Sequence, residues 1–273
     1  MDRRQLARQL SAIENGELEV TDTDGLIVAI TGPPGVGKSC LIDGILHRLT
    51  PNNLVAVLAV DPTSPISGGA LLGDRIRLSV LDDKTKADSI YVRSIATRSS
   101  SGSIPSIVRG LASHLLANKF DLVIIETVGA GQSEMRCAAI ANRIIVVEGP
   151  ARGDGIQAEK AGLLELADLI VVNKSDMEGA ERVVNDLTIS LTLTDDAPPI
   201  IRTSATKGDG LDELSDMIQH LDERVTSRRA RARQQLLMAH ENILILNPAF
   251  EAILDRMSEE GLVLEEALRL LNE

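Results

Sequence analysis

The 273-residue sequence predicts an α/β fold built on a doubly wound, mostly parallel sheet. Two observations predict it. Apolar runs rich in Val and Ile recur between positions 26 and 203, and they are continuous rather than alternating, as in strands that are buried on both faces. Helical patterns fall between most of these runs, which is typical of parallel strands joined by crossover helices.

The expected strands and helices alternate along the chain. The strands are expected at Leu26–Thr31, Leu54–Val60, Ser89–Ile95, Leu122–Glu126, Arg143–Val147, Leu169–Asn173 and Ile200–Thr203. The helices are expected near 38–49, 104–118, 134–141, 157–167, 177–193 and 210–224. Hydrophobic residues make up 44% of the chain but aromatic ones only 1%, so the core must consist of Leu, Ile, Val and Ala.

The chain is expected to divide into three segments, at 1–25, 26–224 and 225–273. The first combines a linker with a short amphipathic helix, because Leu6, Leu10 and Ile13 are spaced four and three residues apart. The second carries the sheet. The third has an Arg-rich start and no strand pattern, so we expect a helical arm that packs on the main domain or on another subunit. Its helices are expected at Leu236–Ile245, Pro248–Met257 and Leu262–Leu271.

The charge balance bears on the kinds of partner that the protein binds. The formal net charge is −12, from 28 basic and 40 acidic residues. That balance argues against broad contact with nucleic acid, and against an anionic membrane surface. The N-terminal residues lack the apolar stretch of a signal peptide, and no apolar run reaches membrane-spanning length. We therefore expect a cytoplasmic protein.

The two cysteines, Cys40 and Cys137, do not form a CxxC pair. A zinc site or a disulfide framework needs such spacings or a larger number of cysteines. We expect both to be reduced, partly buried thiols.

A glycine-rich motif between the first strand and helix of the main segment predicts a phosphate-binding loop of the pattern GxxxxGK[ST]. Its residues are Gly32, Pro33, Pro34, Gly35, Val36, Gly37, Lys38 and Ser39. Glycines allow backbone N–H groups to surround phosphates, and the helix N-terminus adds partial positive charge. Lys38 is expected to bridge the β- and γ-phosphates and Ser39 to ligate Mg²⁺, with Cys40 beside the nucleotide. The alternative is a glycine-rich turn that binds nothing.

A second motif, Asn173-Lys174-Ser175-Asp176, follows the strand at 169–172 and predicts guanine recognition. A carboxylate at Asp176 can accept both N1–H and N2–H of guanine, and adenine lacks that donor pattern. Asn173 is expected to hold the loop and the stem of Lys174 to cover the base. A polar turn at the end of the next strand is expected to bring a backbone N–H to the guanine O6; its residues are Ser204, Ala205 and Thr206.

Acidic residues near the strand ends are candidates for the metal site. Glu126 ends an apolar strand, where a carboxylate orders the Mg²⁺ shell in P-loop enzymes, and the Gly-containing loop after it is expected to sense the γ-phosphate. Asp61 and Asp74 flank the loop after the second strand, and either is expected to ligate the metal directly or through water. For Asp74, a helix cap near Asp74–Leu78 is the alternative.

Taken together and in this order, the motifs resemble those of the MeaB/ArgK/MMAA-type GTPases, which chaperone adenosylcobalamin-dependent acyl-CoA mutases of the methylmalonyl-CoA mutase type. The resemblance covers residues 26–224. It rests on Gly32–Ser39, Ala59–Pro62, Gly68-Gly69, Leu72–Asp74, Glu126–Gly129, Gly131–Glu134 and Leu164–Asp168 running into Asn173–Asp176. The resemblance implies a SIMIBI-like P-loop NTPase fold, GTP or GDP with Mg²⁺ as cofactors, and homodimers controlled by the nucleotide. It also implies a third switch at Gly149–Lys160, with Lys160 as a catalytic candidate.

Other functions remain possible on the same motifs. A small-molecule kinase would use the same phosphate loop, but the guanine motif and the lack of an evident acceptor pocket disfavour it. A nickel-insertion metallochaperone would need Cys and His ligands near the switches, and Cys137 has no neighbouring His. A purely structural dimerisation module would not need a complete phosphate and metal set.

Overall fold

The computed structural model describes residues 2–62, 78–97, 104–127, 136, 140–150, 163–192 and 195–271, of which 61, 62, 96, 97 and 104–106 are described as backbone alone. Within these residues, seven strands form one sheet. They are β1 (Leu26–Thr31), β2 (Val55–Pro62), β3 (Ile90–Thr97), β4 (Leu122–Thr127), β5 (Arg143–Glu148), β6 (Leu169–Val172) and β7 (Ile200–Arg202). Their order is β3-β2-β4-β1-β5-β6-β7, and every neighbouring pair is parallel. The predicted sheet is therefore confirmed, and its named strands are fully parallel.

Helices connect most of the strands. Among the described residues they are α1 (Arg3–Glu14), α2 (Lys38–Leu49), α3 (Lys84–Ala87), α4 (Ile104–Ala117), α5 (Ala180–Leu191), α6 (Leu211–His220), α7 (Val225–Ile245), α8 (Phe250–Glu259) and α9 (Leu264–Leu271). The short α3, and the 3₁₀ turn Ser79–Asp82 before it, were not expected from the sequence. The helices expected near 134–141 and 157–167 fall largely outside the described residues; Arg136 and residues 163–166 are helical there.

The helices cover both faces of the sheet, as a doubly wound fold requires. On one face α2 and α6 pack against strand residues such as Val28, Ile30 and Ile124. On the other face α1, α4 and parts of α5 and α7 pack against alternate residues such as Ala29 and Ile125. Because successive strand residues point to opposite faces, both sides of these strands are buried in aliphatic side chains.

The N-terminal helix α1 is part of the second of these two layers. Leu6, Leu10 and Ile13 are buried in the same core as α4, so the spacing that predicted an amphipathic helix also predicted its buried stripe. The side chain of Asp2 caps its first turn by accepting from the backbone N–H groups of Arg4 and Gln5. At its other end Glu14 accepts from Arg93 Nη2 of β3 at 2.7 Å, which ties the helix to an edge strand of the sheet.

The arm helix α7 begins at Val225 rather than at the expected Leu236, so the Arg-rich segment is itself helical. Asp168, fully buried just before β6, anchors its start. Its Oδ2 accepts from the Ile144 backbone N–H at 2.9 Å and from Arg231 Nη1 at 2.6 Å. Its Oδ1 accepts from the Arg224 backbone N–H at 3.1 Å and from Ser227 Oγ at 2.5 Å. Arg231 is only 3% exposed, although its sequence context resembles a solvated charge run.

The chain contains no Trp and one Tyr. The Tyr91 ring contacts that of Phe120 edge-on, with centroids 6.2 Å apart and planes at 62°. Within the part of the chain that the structure describes, no helix is both long enough and apolar enough to cross a membrane.

Because parallel strands share one direction, their carboxyl ends meet at the same edge of the sheet. The central neighbours β4, β1, β5 and β6 therefore bring the phosphate loop, Glu126 and the guanine motif to one edge. A crevice outside the carboxyl ends of the strands is where ligands bind in open α/β sheets.

Candidate functional site

The phosphate loop between β1 and α2 depends on glycine at positions where another residue would not fit. Gly32 has φ 143°, and a Cβ there would lie 2.1 Å from the carbonyl oxygen of Val147 on β5. Gly37, which caps α2, has φ 93°, and a Cβ there would lie 2.7 Å from Nδ2 of Asn173. The loop is thus pressed against β5 on one side and against the guanine motif on the other.

The Lys38 side chain folds back over this loop. Its residue is 8% exposed, and its Nζ donates to the carbonyl oxygens of Gly32 at 2.5 Å and Pro33 at 3.1 Å. The ammonium group is therefore held inside the loop, where it would meet the phosphates of a nucleotide.

Ser39 and Glu126 come together across 87 positions of sequence. Ser39 Oγ donates to Glu126 Oε1 at 2.6 Å. Burial raises the pKa of the Glu126 carboxyl above its usual value, and the Ser39 hydrogen bond and the charge of Lys38 oppose that shift in part. A hydroxyl oxygen beside a carboxylate is a hard, all-oxygen donor set of the kind that Mg²⁺ prefers, so the two residues fit this metal.

Asn173 joins the phosphate loop to the guanine loop. Its Nδ2 donates to the Val36 carbonyl oxygen at 2.8 Å, and its Oδ1 accepts from Thr203 Oγ1 and from the Ala205 backbone N–H, each at 3.1 Å. The residue is 1% exposed. One amide group thereby fixes the position of the two loops relative to each other.

Lys174 and Asp176 lie on the open side of the same motif. Lys174 adopts φ 60°, which is uncommon for a non-glycine residue, and its Nζ donates to the Gly35 carbonyl oxygen at 2.7 Å. Its aliphatic stem therefore spans the gap between the two loops. Asp176 Oδ1 accepts from Ser204 Oγ at 2.7 Å, and Oδ2 lies 3.4 Å from Lys207 Nζ. The Ser204 hydrogen bond first, and then Lys207, lower the pKa of Asp176 and keep it ionised.

The loop that carries Ser204 is closed by a tight turn. Ser204 pairs with Asp209 in an isolated antiparallel bridge, and Gly210 approaches so closely that a Cβ would lie 2.2 Å from the Arg202 carbonyl oxygen. Arg48, at the far end of α2, donates through Nη2 to the Gly208 carbonyl oxygen at 3.3 Å. The helix that begins at the phosphate loop therefore also supports the guanine loop.

The comparison with family models decides which known proteins share this site. A model described as methylmalonyl Co-A mutase-associated GTPase MeaB matches residues 8–261. The chain belongs to the MeaB family. It is thus a P-loop GTPase, as the motifs predicted.

Individual MeaB-like relatives agree with this membership. A putative GTPase of Pyrococcus abyssi is 35% identical over 96% of this chain and 89% of its own length. A protein of Paraburkholderia xenovorans named fused isobutyryl-CoA mutase is 30% identical over 88% of this chain and 20% of its own length. The mouse protein named methylmalonic aciduria type A homolog, mitochondrial, is 35% identical over 70% of this chain and 48% of its own length.

Solved structures share the fold of this MeaB-family chain. A structure titled LAO/AO transport system kinase covers 99% of this chain and 92% of its own, with a TM-score of 0.65 at 24% identity. HypB from Helicobacter pylori, in complex with nickel, covers 81% of this chain and 98% of its own, with a TM-score of 0.54 at 19% identity. At these identities the likeness concerns the fold alone.

The structure brings most of the predicted site residues of this MeaB-family chain to one edge, and their roles stay predictions. Cys40 lies in the first turn of α2 but is exposed, which corrects the expectation of a partly buried thiol. At this position the helix faces outward, next to exposed Ser39. The backbone of Asp61 lies near the end of β2, opposite Ala96 of β3, but its side chain lies outside the described residues. Asp74 and Lys160 lie outside them altogether, as does all of the expected third switch beyond Gly149 and Pro150.

Sequence reasoning missed several supports of the MeaB-type site. Lys207, Arg48 and Thr31 were not singled out, although each contacts a motif residue or the loop that carries one. Lys207 directly follows the predicted Ser204–Thr206 turn, and this proximity is a signal that could have pointed to it. Arg48 and Thr31 contact residues that are distant in the sequence, and no local pattern predicts such contacts.

Proposed function

We propose that this chain is a Mg²⁺-dependent GTPase that chaperones an adenosylcobalamin-dependent acyl-CoA mutase of the methylmalonyl-CoA mutase type, where it gates loading or protection of the cobalamin cofactor. The binding of GTP is supported chiefly by the Asn173 side chain, which holds the phosphate loop and the guanine loop together. The association with a mutase is supported by the description of the family and by the relative named fused isobutyryl-CoA mutase. We propose a cytoplasmic location for both proteins.

In this proposal the residues of the site divide the work of hydrolysis. Lys38 and the backbone N–H groups of the loop bind the phosphates of GTP, and Asp176 accepts from the guanine edge. Ser39 and Glu126 would hold Mg²⁺, which neutralises charge on the phosphates when bound. Asp61 and Asp74 are proposed as further metal ligands, directly or through water, and Lys160 is proposed to stabilise charge on the transferring phosphoryl group.

We propose that hydrolysis is slow until the mutase binds. No Gln directly follows Gly129 to orient water, and Gln132 comes three residues later. The expected third switch carries Gly149, Gly153 and Gly155. Such glycine-rich segments lose much conformational entropy when they are ordered, so a partner that orders them would supply part of the missing stabilisation.

GTP turnover with and without methylmalonyl-CoA mutase and isobutyryl-CoA mutase tests this proposal. We expect one of the mutases to raise the rate for the wild type and to have a smaller effect on Lys160→Ala, with Lys38→Ala as the inactive control. If neither mutase alters the rate or the affinity for GTP, the chaperone role fails, while the GTPase assignment stands.

We also propose a homodimer formed through the arm. The side of α7 opposite Met238 exposes large apolar groups, with Leu236 72% and Ile243 68% exposed, and α9 exposes Leu264 and Leu268. A patch of this kind is typical of an interaction surface. Light scattering with and without a GTP analogue measures the mass, and a monomer in both conditions would contradict the dimer.

A further inference from the structure

A pair of buried threonine hydroxyls lies where the phosphate loop begins and the Glu126 strand ends. Thr127 Oγ1 donates to Thr31 Oγ1 at 2.7 Å. Thr31 is fully buried and Thr127 is 2% exposed. Thr31 directly precedes Gly32, and Thr127 directly follows Glu126. The bond therefore links the neighbours of two site residues.

This bond extends the pairing of β1 and β4 beyond their backbone register. The register runs from Leu26 opposite Leu122 to Ile30 opposite Glu126. The next pair along the two strands is Thr31 and Thr127, and there a side-chain hydrogen bond makes the connection. It does so at the point where β1 leaves the sheet for the phosphate loop.

The Thr127 hydroxyl lies on the opposite face of the sheet from the Glu126 carboxylate. Ile125 belongs to the core under α1 and α4, and Ile124 to the core under α2. By strand alternation Thr127 shares the face of Ile125, and Glu126 shares the face of Ile124 and Ser39. Thr127 therefore has no direct access to the Ser39–Glu126 pair, and any effect on it passes through the backbone.

A hydroxyl pair is not what packing alone would select at this place. The rest of β4 is aliphatic up to Glu126, and Val has nearly the shape of Thr. Burying two hydroxyls in such a core is unfavourable unless they are hydrogen-bonded, and the bond then fixes their relative position. We propose that Thr127 is a positioning residue for GTP hydrolysis, because its bond to Thr31 sets the place of Glu126 relative to Lys38 and Ser39. This inference concerns the GTPase reaction and does not depend on the mutase.

The test compares isosteric Thr→Val changes of buried threonines. Thr127→Val removes the bond, and we expect kcat for GTP without mutase to fall about two- to tenfold, the loss typical of one hydrogen bond. The affinity for GDP should stay within about twofold of wild type, because the phosphate and guanine loops keep their contacts. Thr127→Ser retains the donor and should restore most of the rate.

Two variants act as matched controls. Thr50→Val removes a buried hydroxyl that donates to the Leu46 carbonyl oxygen at 2.7 Å at the far end of α2, and its kcat should equal that of wild type. Thr203→Val removes the hydroxyl that donates to Asn173, and it should weaken the preference for GTP over ATP, which Thr127→Val leaves unchanged.

A double-mutant cycle separates positioning from general damage. If the bond is what matters, Thr31→Val with Thr127→Val should be no slower than the slower single variant. The proposal is overturned if Thr127→Val turns over GTP like wild type, if Thr127→Ser is as slow as Thr127→Val, or if Thr50→Val is slowed equally. Additive losses in the double variant would also overturn it.

Discussion

Two buried carboxylates at opposite edges of the sheet have opposite surroundings. Asp168, at the amino edge beside β6, accepts hydrogen bonds from Ile144, Arg224, Ser227 and Arg231. Glu126, at the carboxyl edge, accepts from Ser39, and its burial raises its pKa. When both oxygens of a carboxylate accept hydrogen bonds, one of them from an arginine, the protein itself balances the negative charge. Among the described residues Glu126 has one hydrogen-bond donor, and a carboxylate buried in this way is costly unless a ligand supplies the missing charge, so the difference separates an anchor from a site.

The largest effect is expected at Glu126, the carboxylate assigned to the nucleotide site. Glu126→Gln keeps the shape of the side chain but removes its charge, so GTP hydrolysis should fall by about a hundredfold or more. The stability of the nucleotide-free protein should not decrease, because the cost of burying the carboxylate is gone. Turnover assays and thermal unfolding measure the two quantities. If Glu126→Gln hydrolyses GTP normally, or unfolds much more easily than wild type, then Glu126 has a structural role like that of Asp168.

The same acid-to-amide change at the anchor should have the reverse outcome. Asp168→Asn leaves the buried Arg231 paired with Glu223 alone, and the free energy of unfolding should fall by about 3 kcal/mol. Replacing both partners, as in Asp168→Leu with Arg231→Met, should recover part of that loss. Denaturant unfolding measures the stability. If Asp168→Asn stays as stable as wild type but loses turnover, the distinction between anchor and site fails.

Asp176 provides a third carboxylate, open to solvent and predicted to recognise guanine. Asp176→Asn should lower the affinity for GTP by about a hundredfold or more, because the amide cannot accept both guanine N–H groups. Affinity for xanthine nucleotides should rise, since their 2-oxo group suits an amide donor. Calorimetric titration with GTP, XTP and ATP checks this, and equal affinity of the wild type for GTP and ATP would remove the guanine assignment.

The smallest expected effect concerns Glu223, which pairs with Arg231 and Arg228 beside the anchor. Burial alone would raise its pKa, but the hydrogen bonds from Arg231 and Arg228 outweigh it and lower the pKa below the usual 4.5. Because the folded pKa is the lower one, this stabilisation is present above pH 4.5 and is lost as the pH falls through the folded value. Glu223→Gln should lower stability at neutral pH and flatten its decline in acid. Unfolding midpoints across the acid range measure this, and an unchanged slope would contradict it.

The contiguous motifs could be predicted from the sequence because their function is local. Gly32–Ser39 and Asn173–Asp176 each place their side chains through one turn, and the structure brings both to the same edge. The bond from Thr127 to Thr31 and that from Arg48 to Gly208 depend on which strands and helices are neighbours, and no run of residues encodes that.

The arm illustrates a second limit of sequence reasoning. The Arg-rich segment after Val225 resembles a solvated charge run, so Arg231 was not expected in the interior. Its burial depends on Asp168, more than sixty positions earlier in the chain. The short α3 was missed for a different reason, because four residues carry too little periodicity to predict a helix.

The contact of Tyr91 with Phe120 has a practical consequence for experiments on this protein. With no Trp and a single Tyr, the intrinsic fluorescence and the near-ultraviolet circular dichroism arise largely from one ring, between β3 and the start of β4. These signals report on the packing of that corner of the core, which lies at the edge of the sheet opposite to the phosphate and guanine loops. A single Trp placed beside the guanine loop would therefore give an optical signal of binding with almost no background from the rest of the chain.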